Sequence, residues 1–321
     1  MDDRAEIRRR SGGDADVTSD GKDRPVLLLG ASGFLGPALR DAFGAERAVP
    51  THFSHPDEGS RFFDPRRTRV SGLVAALPAK PTAAVILLGI TNIDHCAREP
   101  AASAEVNVRG IIRVIDEVRA LGIMPVFVSS DAVFDGSRPY WSEGDEPSPI
   151  LTYGRQKVEV ERHLSSLPLP WIIVRLPKLI SPRRNARCFV TGWVEGLARS
   201  ERILCATDQY FTPAAAPDAA RAIAQLVHAG AQGLYHLGGP ERLSRRALLD
   251  AVVGEYRKFT KPVAPIVECS LRDIPVLEPR PLDTSLRSDR FRAERGARFS
   301  TACETAHAAV RSYFAAQAVE K

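Results

Sequence analysis

The chain has 321 residues, 44% hydrophobic and 26% charged, an ordinary globular balance with enough apolar material for a large core or two lobes. A formal net charge of +5 suits acidic small molecules such as phosphates, but Arg and Lys are scattered rather than gathered in a stripe, which argues against a nucleic-acid partner. The five cysteines (Cys96, Cys188, Cys205, Cys269, Cys303) are odd in number and include no C-x-x-C, so neither a disulfide framework nor a zinc site is implied, and a reducing cytoplasm is the expected setting.

Residues 1 to 24 are polar and lack an apolar signal core. They are expected to form a mobile tail, with the fold starting at Pro25. No stretch approaches the roughly 18 apolar residues needed to span a bilayer, so no membrane partner is expected. "VLLL" (26 to 29) is a short continuous apolar run that stops at "GASGFLG", as expected of a strand buried on both faces of a parallel sheet, and "PALRDAF" then reads as a helix. Further strands are expected at 48 to 53, 83 to 89, 124 to 130 and 170 to 176, each apolar and ended by Gly, Ser, Thr or Pro. Helical stretches lie between them, including 101 to 121 and 154 to 166. This alternation predicts an α/β fold with a doubly wound parallel sheet.

After Leu176 the pattern loosens. "VTGWVEGLAR" reads as a helix, and 217 to 229 as another with Asp218 at its cap. "GLYHLGG" (233 to 239) reads as a strand, and Ser244 as the N-cap of the helix after it. The expected organisation is a dinucleotide-binding domain over 25 to 176, with 206 to 230 returning to it. Residues 177 to 205 and 231 to 321 would form a smaller α/β substrate-binding lobe.

Three sequence features carry chemistry. Gly30, Gly33 and Gly36 in "GASGFLG" fall between a strand and a helix. There glycines permit a tight turn and let backbone N–H groups approach a pyrophosphate at the helix terminus; an ordinary βα turn is the plainer alternative. "YGRQK" places Tyr153 and Lys157 on one face of a helix, a pair that alone is no more than a helix turn. "VFVSSDAVFDG" puts Ser129, Ser130 and Asp131 at a strand's C-terminal end, where open α/β sheets place ligands. A hydroxyl there can bind a carbonyl while Tyr153 donates a proton, with the Lys157 cation expected to lower the phenol pKa. The alternative is that the serines only satisfy a strand end and Asp131 caps a turn.

Together, "GASGFLG", "NIDHCAREPAASAEVNVRG", "SSDAVFDG", "YGRQK", "YHLGGPERLSRRALLDAV" and "RPLDTSL" resemble the dTDP-4-dehydrorhamnose reductase branch of the extended short-chain dehydrogenase/reductases, in that family's order. The resemblance implies a Rossmann-type fold and NAD(P)H-dependent reduction of a 4-keto group on a nucleotide-activated deoxysugar. It implies Ser130, Tyr153 and Lys157 as catalytic residues. Gly30, Ser32, Gly33, Phe34, Leu35, Gly36, Leu88, Gly89, Thr91, Asn107 and Lys157 would bind cofactor, and Ser130, Asp131 and Arg280 substrate. For Asn107 a purely structural role in bridging the helix stays open, as does a loop-anchoring role for Arg280. "RRNAR" (183 to 187) is either an aid to the diphosphate or a solvated loop.

Two departures from the family pattern point to an unusual substrate. Ala132 stands where an aromatic is usual, and "LLGIT" replaces the usual alanines before Thr91. The end of the second strand offers Thr51, His52 and Ser54 rather than an acid, with His52, His55 or Arg61 as candidates for a 2′-phosphate; NADPH is therefore expected, with NADH as the alternative. The same elements also resemble the methionine adenosyltransferase regulatory β subunit, a non-catalytic NADP-binding reading, and a sugar-nucleotide epimerase or dehydratase is a third. No metal site is expected. A homodimer stays open.

Overall fold

The computed structural model describes residues 24–184, 186–261 and 264–319. Apart from Arg24, the expected tail lies outside them, as does Asn185 of the "RRNAR" segment.

The first half runs β1 (Val26–Leu29), α1 (Gly36–Phe43), β2 (Ala48–His52), β3 (Arg61–Phe62), α2 (Val70–Ala75), β4 (Ala83–Ile86), α3 (Ile93–Arg98), α4 (Pro100–Ala104), α5 (Ile111–Ala120), β5 (Met124–Ser130), α6 (Thr152–Ser166) and β6 (Ile172–Leu176). The second half runs β7 (Leu179–Ile180), α7 (Phe189–Ala198), β8 (Ile203–Ala206), β9 (Tyr210–Phe211), β10 (Ala214–Ala215), α8 (Ala216–His228), β11 (Gly233–His236), β12 (Leu243–Ser244), α9 (Arg245–Tyr256), β13 (Ile266–Cys269), α10 (Asp289–Arg295) and α11 (Ala302–Val319).

Seven strands form one parallel sheet in the order β11-β6-β5-β4-β1-β2-β3. The continuous apolar runs follow from burial on both faces. Val26 and Leu28 enter one core cluster with α1 and α8, whereas Leu27 and Leu29 enter another with α5. Each leucine so buried contributes about 1.5–3 kcal/mol. A third cluster joins α7, α9 and α11 beyond the sheet. The strand order reverses beside β1, between β2 and β4, so a crevice opens at the C-terminal strand ends, where such sheets hold ligands.

Two expectations are corrected. The helix expected over 101 to 121 is α4 and α5 joined by a π-helical turn, Glu105–Gly110, which carries Asn107; such widened turns cluster at functional sites. Asp218 is not the cap of α8. That place is taken by Ala215, and the Asp218 side chain, one turn in, accepts from Ser300 N–H and pairs with Arg221. Ser244 does cap α9, accepting from Ala247 N–H at 3.0 Å.

Candidate active site

The crevice is a cleft of about 820 Å³, large enough for a dinucleotide in part and a sugar beside it. Its floor at one end is the β1–α1 turn. Gly30 has φ +90°, a conformation that favours glycine, and its N–H donates to Thr51 Oγ1 at 2.9 Å. At Gly36, a Cβ would lie 1.7 Å from Ala31 O, so only glycine lets α1 begin there. Ser32, Gly33, Phe34 and Leu35 line the cleft with these glycines, and Leu88, Gly89 and Thr91 line it after β4.

Tyr153 and Lys157 lie on α6, both buried and both lining the cleft with Ser129 and Ser130. Gly154 explains how α6 approaches so closely: a Cβ there would stand 2.1 Å from Ala132 O. The glycine thus seats the first turn of α6 on the short 3-10 turn Asp131–Val133, beside the end of β5. Lys157 Nζ donates to Val128 O at 2.9 Å and lies 4.6 Å above the Phe127 ring.

Asp131 lies behind Ser130 rather than on the cleft wall. Ser130 Oγ donates to Asp131 Oδ1 at 3.0 Å, and Thr284 Oγ1, from the far end of the chain, donates to Oδ2 at 2.7 Å. Burial pushes the Asp131 carboxyl up, opposed by the nearby Lys178 charge and by these hydroxyls. Burial also pushes the Tyr153 phenol up, reinforced by Asp131 and Cys96, while a hydrogen bond with Ser130 pulls the other way. The expectation that Lys157 lowers this phenol is not met, because desolvation dominates and the ammonium is held by Val128 O. Lys157 is itself lowered to about 8, chiefly by burial.

Asn107 stands one layer behind the cleft. Its Oδ1 accepts from Ile90 N–H at 2.6 Å, and its Nδ2 donates to Ile90 O and to Gln156 Oε1 at 3.0 and 2.8 Å. Asn107 thereby ties the loop after β4 to α6. Gln156, the third residue of this link, was not singled out by the sequence, since a polar residue within a helix gives no distinguishing signal.

Other placements differ from expectation. Ala132 packs against Tyr153, Leu151 and Cys96 instead of facing the cleft. His52 hydrogen-bonds Ser60, and neither it nor His55 nor Arg61 lines the cleft. The cation there is Arg66, held by Asp64 through two 2.9 Å bonds and lying 5.5 Å from the Phe53 ring. Arg280 is not on the cleft wall either: Nη2 donates to Asp94 at 2.7 Å, while Nη1 is buried without a partner among the described residues. Arg245, also missed, has a buried Nε without such a partner and lies 5.9 Å from Phe189, which lines the cleft. Lys178 completes the missed set, while Arg187 of the "RRNAR" segment lines the cleft; Lys178 follows the end of β6 by two residues, the position where a lysine could have drawn attention.

The family model "RmlD substrate binding domain" matches residues 24–314. The chain belongs to that family, whose place is among the extended short-chain dehydrogenase/reductases, a class of NAD(P)-dependent oxidoreductases. It is 27% identical over 228 residues to a dTDP-4-dehydrorhamnose reductase of Sinorhizobium fredii, covering 68% of this chain and 76% of that one. It is also 26% identical over 266 residues to the methionine adenosyltransferase 2 subunit beta of Bos taurus, covering 77% and 76%. The solved dTDP-4-dehydrorhamnose reductase from Bacillus anthracis, in complex with NADP, superposes with a TM-score of 0.78 at 21% identity, covering 91% of this chain and 99% of that one. That likeness confirms the Rossmann-type fold. Among the described residues, no helix is long and apolar enough to cross a membrane, and no group of three or more His, Cys, Asp or Glu side chains could hold a metal ion.

Proposed function

We propose that the protein is an NAD(P)H-dependent reductase of the 4-keto group of a nucleotide-activated sugar, a deoxysugar by family resemblance. The observation that carries this reading is the meeting of Ser130, Tyr153 and Lys157 in one cleft with the glycine turn. The turn fits a dinucleotide: Gly36 excludes a Cβ at the start of α1, where backbone N–H groups favour a phosphate. A bound nicotinamide would supply the hydride. The residues of the chain would bind the ketone and deliver the proton.

A phenol pushed up by burial stays protonated through the neutral range, as a proton donor requires. Tyr153 gives its O–H proton to the oxygen that becomes the alcohol, and Ser130, whose one hydroxyl hydrogen turns from Asp131 to the bound ketone, orients that oxygen. Asp131, fixed by Thr284, holds Ser130 in place. The Lys157 cation, held by Val128 O, stabilises the tyrosinate left behind. Asn107 shapes the wall of the cofactor site through Ile90.

NADPH is the preferred cofactor in this reading, because the acid lining the cleft near β2, Asp64, is engaged by Arg66, leaving a guanidinium rather than a free carboxylate for the ribose. Arg245 and Arg280 serve the substrate diphosphate, each with a buried N–H to offer. The dinucleotide domain comprises 25 to 176 with 206 to 230, and β11, expected in the smaller lobe, belongs to it as well because it pairs with β6 at the edge of the sheet; the remaining residues after 176 form the substrate lobe. Oxidation of NADPH by dTDP-4-keto-6-deoxyhexose, followed at the nicotinamide absorbance, tests the proposal. Tyr153→Phe should lose about 10²–10⁴ in turnover and keep NADPH binding; full activity in that variant sinks the role of Tyr153. The likeness to the β subunit supports a second reading, a cofactor-binding regulatory partner. NADPH binding without turnover on any nucleotide-activated ketosugar, together with co-purification of a methionine adenosyltransferase, would favour it.

A further inference from the structure

Lys178 is a cleft-lining cation whose ammonium makes no hydrogen bond to a described residue. Lys157, in the same cleft, is by contrast tied to Val128 O, and Arg66 to Asp64. The position of Lys178 is fixed by the sheet. Ser130 and Leu176 are register partners at the ends of β5 and β6, and Lys178 follows Leu176 by two residues. Its charge is felt by Asp131, the carboxylate that accepts from Ser130. The ammonium therefore belongs to the end of the cleft where the ketone would react.

The counter-charge it meets there is Asp131, whose ionisation burial opposes. Asp131 has its two oxygens engaged by the hydroxyls of Ser130 and Thr284, and Arg245 and Arg280 add charge of the same sign around Lys178. Among the described residues lining the cleft, the one acid is Asp64, already held by Arg66 at the opposite end. Burial lowers the pKa of Lys178, in keeping with a cation short of solvent and of partners. A neutral sugar hydroxyl would accept one N–H and leave the charge uncompensated, whereas an anion offsets it and forms the stronger, charge-assisted bond.

We propose that Lys178 binds a negatively charged substituent on the sugar ring, so that the preferred substrate is a nucleotide-activated sugar bearing a carboxylate in place of a neutral deoxysugar. The inference rests on the nucleotide-sugar reading above and narrows its substrate class. It leaves Arg245 and Arg280 to the diphosphate, because their unpartnered N–H groups belong to other segments, while Lys178 shares the strand ends with Ser130.

A binding experiment separates this inference from the reductase reading, since it requires no turnover. With NADP⁺ saturating, calorimetry compares glucose and glucuronate conjugates, each made with dTDP and with UDP, against free dTDP and UDP. The expected result is tenfold or greater preference for the acidic conjugate. Lys178→Met should bring the acidic conjugate down to the neutral one, and Lys178→Arg should restore the preference, which shows that the fold tolerates change there. Equal affinities for the two conjugates would overturn the inference, as would a Lys178→Met loss of the same size for free dTDP or UDP, which would assign the lysine to the diphosphate. Failure of every conjugate and both free nucleotides to bind would overturn the nucleotide-sugar reading as well. A preserved acidic preference, with no NADPH oxidation by the corresponding 4-keto conjugates, would remove the reductase reading and leave the site.

Discussion

The two ends of the cleft are built by different means. The β1–α1 end is largely backbone: six residues between Gly30 and Gly36 line it, shaped by glycines because Gly30 has a positive φ and a side chain at Gly36 would collide with the main chain. The other end is side chains drawn together from remote segments: Ser130 and Lys178 line it, and Thr284, Arg245 and Arg280 stand behind them, from five places in the sequence. A backbone site is specified by what must be absent, a Cβ. A side-chain site depends on where the fold carries each group.

Gly36→Ala should break the first end most severely. Its Cβ would stand 1.7 Å from a backbone carbonyl, so α1 must shift, and NADPH affinity should fall by about 100-fold or more, together with the melting temperature. Fluorescence titration and thermal melting check this; unchanged NADPH affinity would show that the turn does not cradle the cofactor. Gly154→Ala should strike the second end instead. The clash with Ala132 O at 2.1 Å pushes the first turn of α6, and Tyr153 with it, away from Ser130. Turnover should drop about 100-fold while NADPH affinity changes only a few-fold. If both glycine variants lose cofactor equally, the two ends are one cooperative unit and the contrast fails.

The same contrast explains what the sequence disclosed. The parallel sheet was legible because strands buried on both faces must be continuously apolar, as Val26 to Leu29 are. The glycine turn was legible for the steric reason just given, and Tyr153 and Lys157 because helical spacing is local. The π-helical turn at Asn107 was hidden, since its residues look helical and the distortion answers to Ile90 and Gln156, far away in the chain. Asp218 was misread as a cap because an acid near a helix start suits either the cap or the first turn, and Ser300 decided between them. Arg245 and Lys178 are far apart in sequence, and only packing shows that they share a neighbourhood with Arg280. The direction of the Tyr153 shift was wrong for a related reason: pairing with Lys157 is local, but desolvation is a property of the completed core.

Lys157 connects the two ends, and its titration offers a third measurement. Burial lowers it to about 8, so it is cationic below that pH and neutral above. If the cation is required, kcat/KM for NADPH, which reports the free enzyme, should decline by about tenfold per pH unit above about 8. Stability should move oppositely. Unfolded, the same amine stays protonated up to its ordinary 10.5, so the unfolded state binds more protons between about 8 and 10.5 and this residue's contribution to stability rises with pH there. A flat activity profile to pH 10 would remove the cation from the mechanism.

The smallest expected effect probes the side-chain end directly. Arg280 has two candidate roles: its bond to Asp94 would anchor a loop to α3, and its buried, unpartnered Nη1 would bind the diphosphate. Arg280→Gln should raise the KM for the nucleotide sugar by about tenfold with kcat little changed, the loss of one charge-assisted bond made equally in ground and transition states. Asp94→Asn separates the roles. It weakens the anchor and leaves the guanidinium, so if diphosphate binding is the function of Arg280, KM should stay within about threefold of the parent, the scale of a weakened partly exposed ion pair. Equal KM increases in the two variants would instead make Arg280 a loop anchor and leave the diphosphate to Arg245, which lies 5.9 Å from the cleft-lining Phe189 ring.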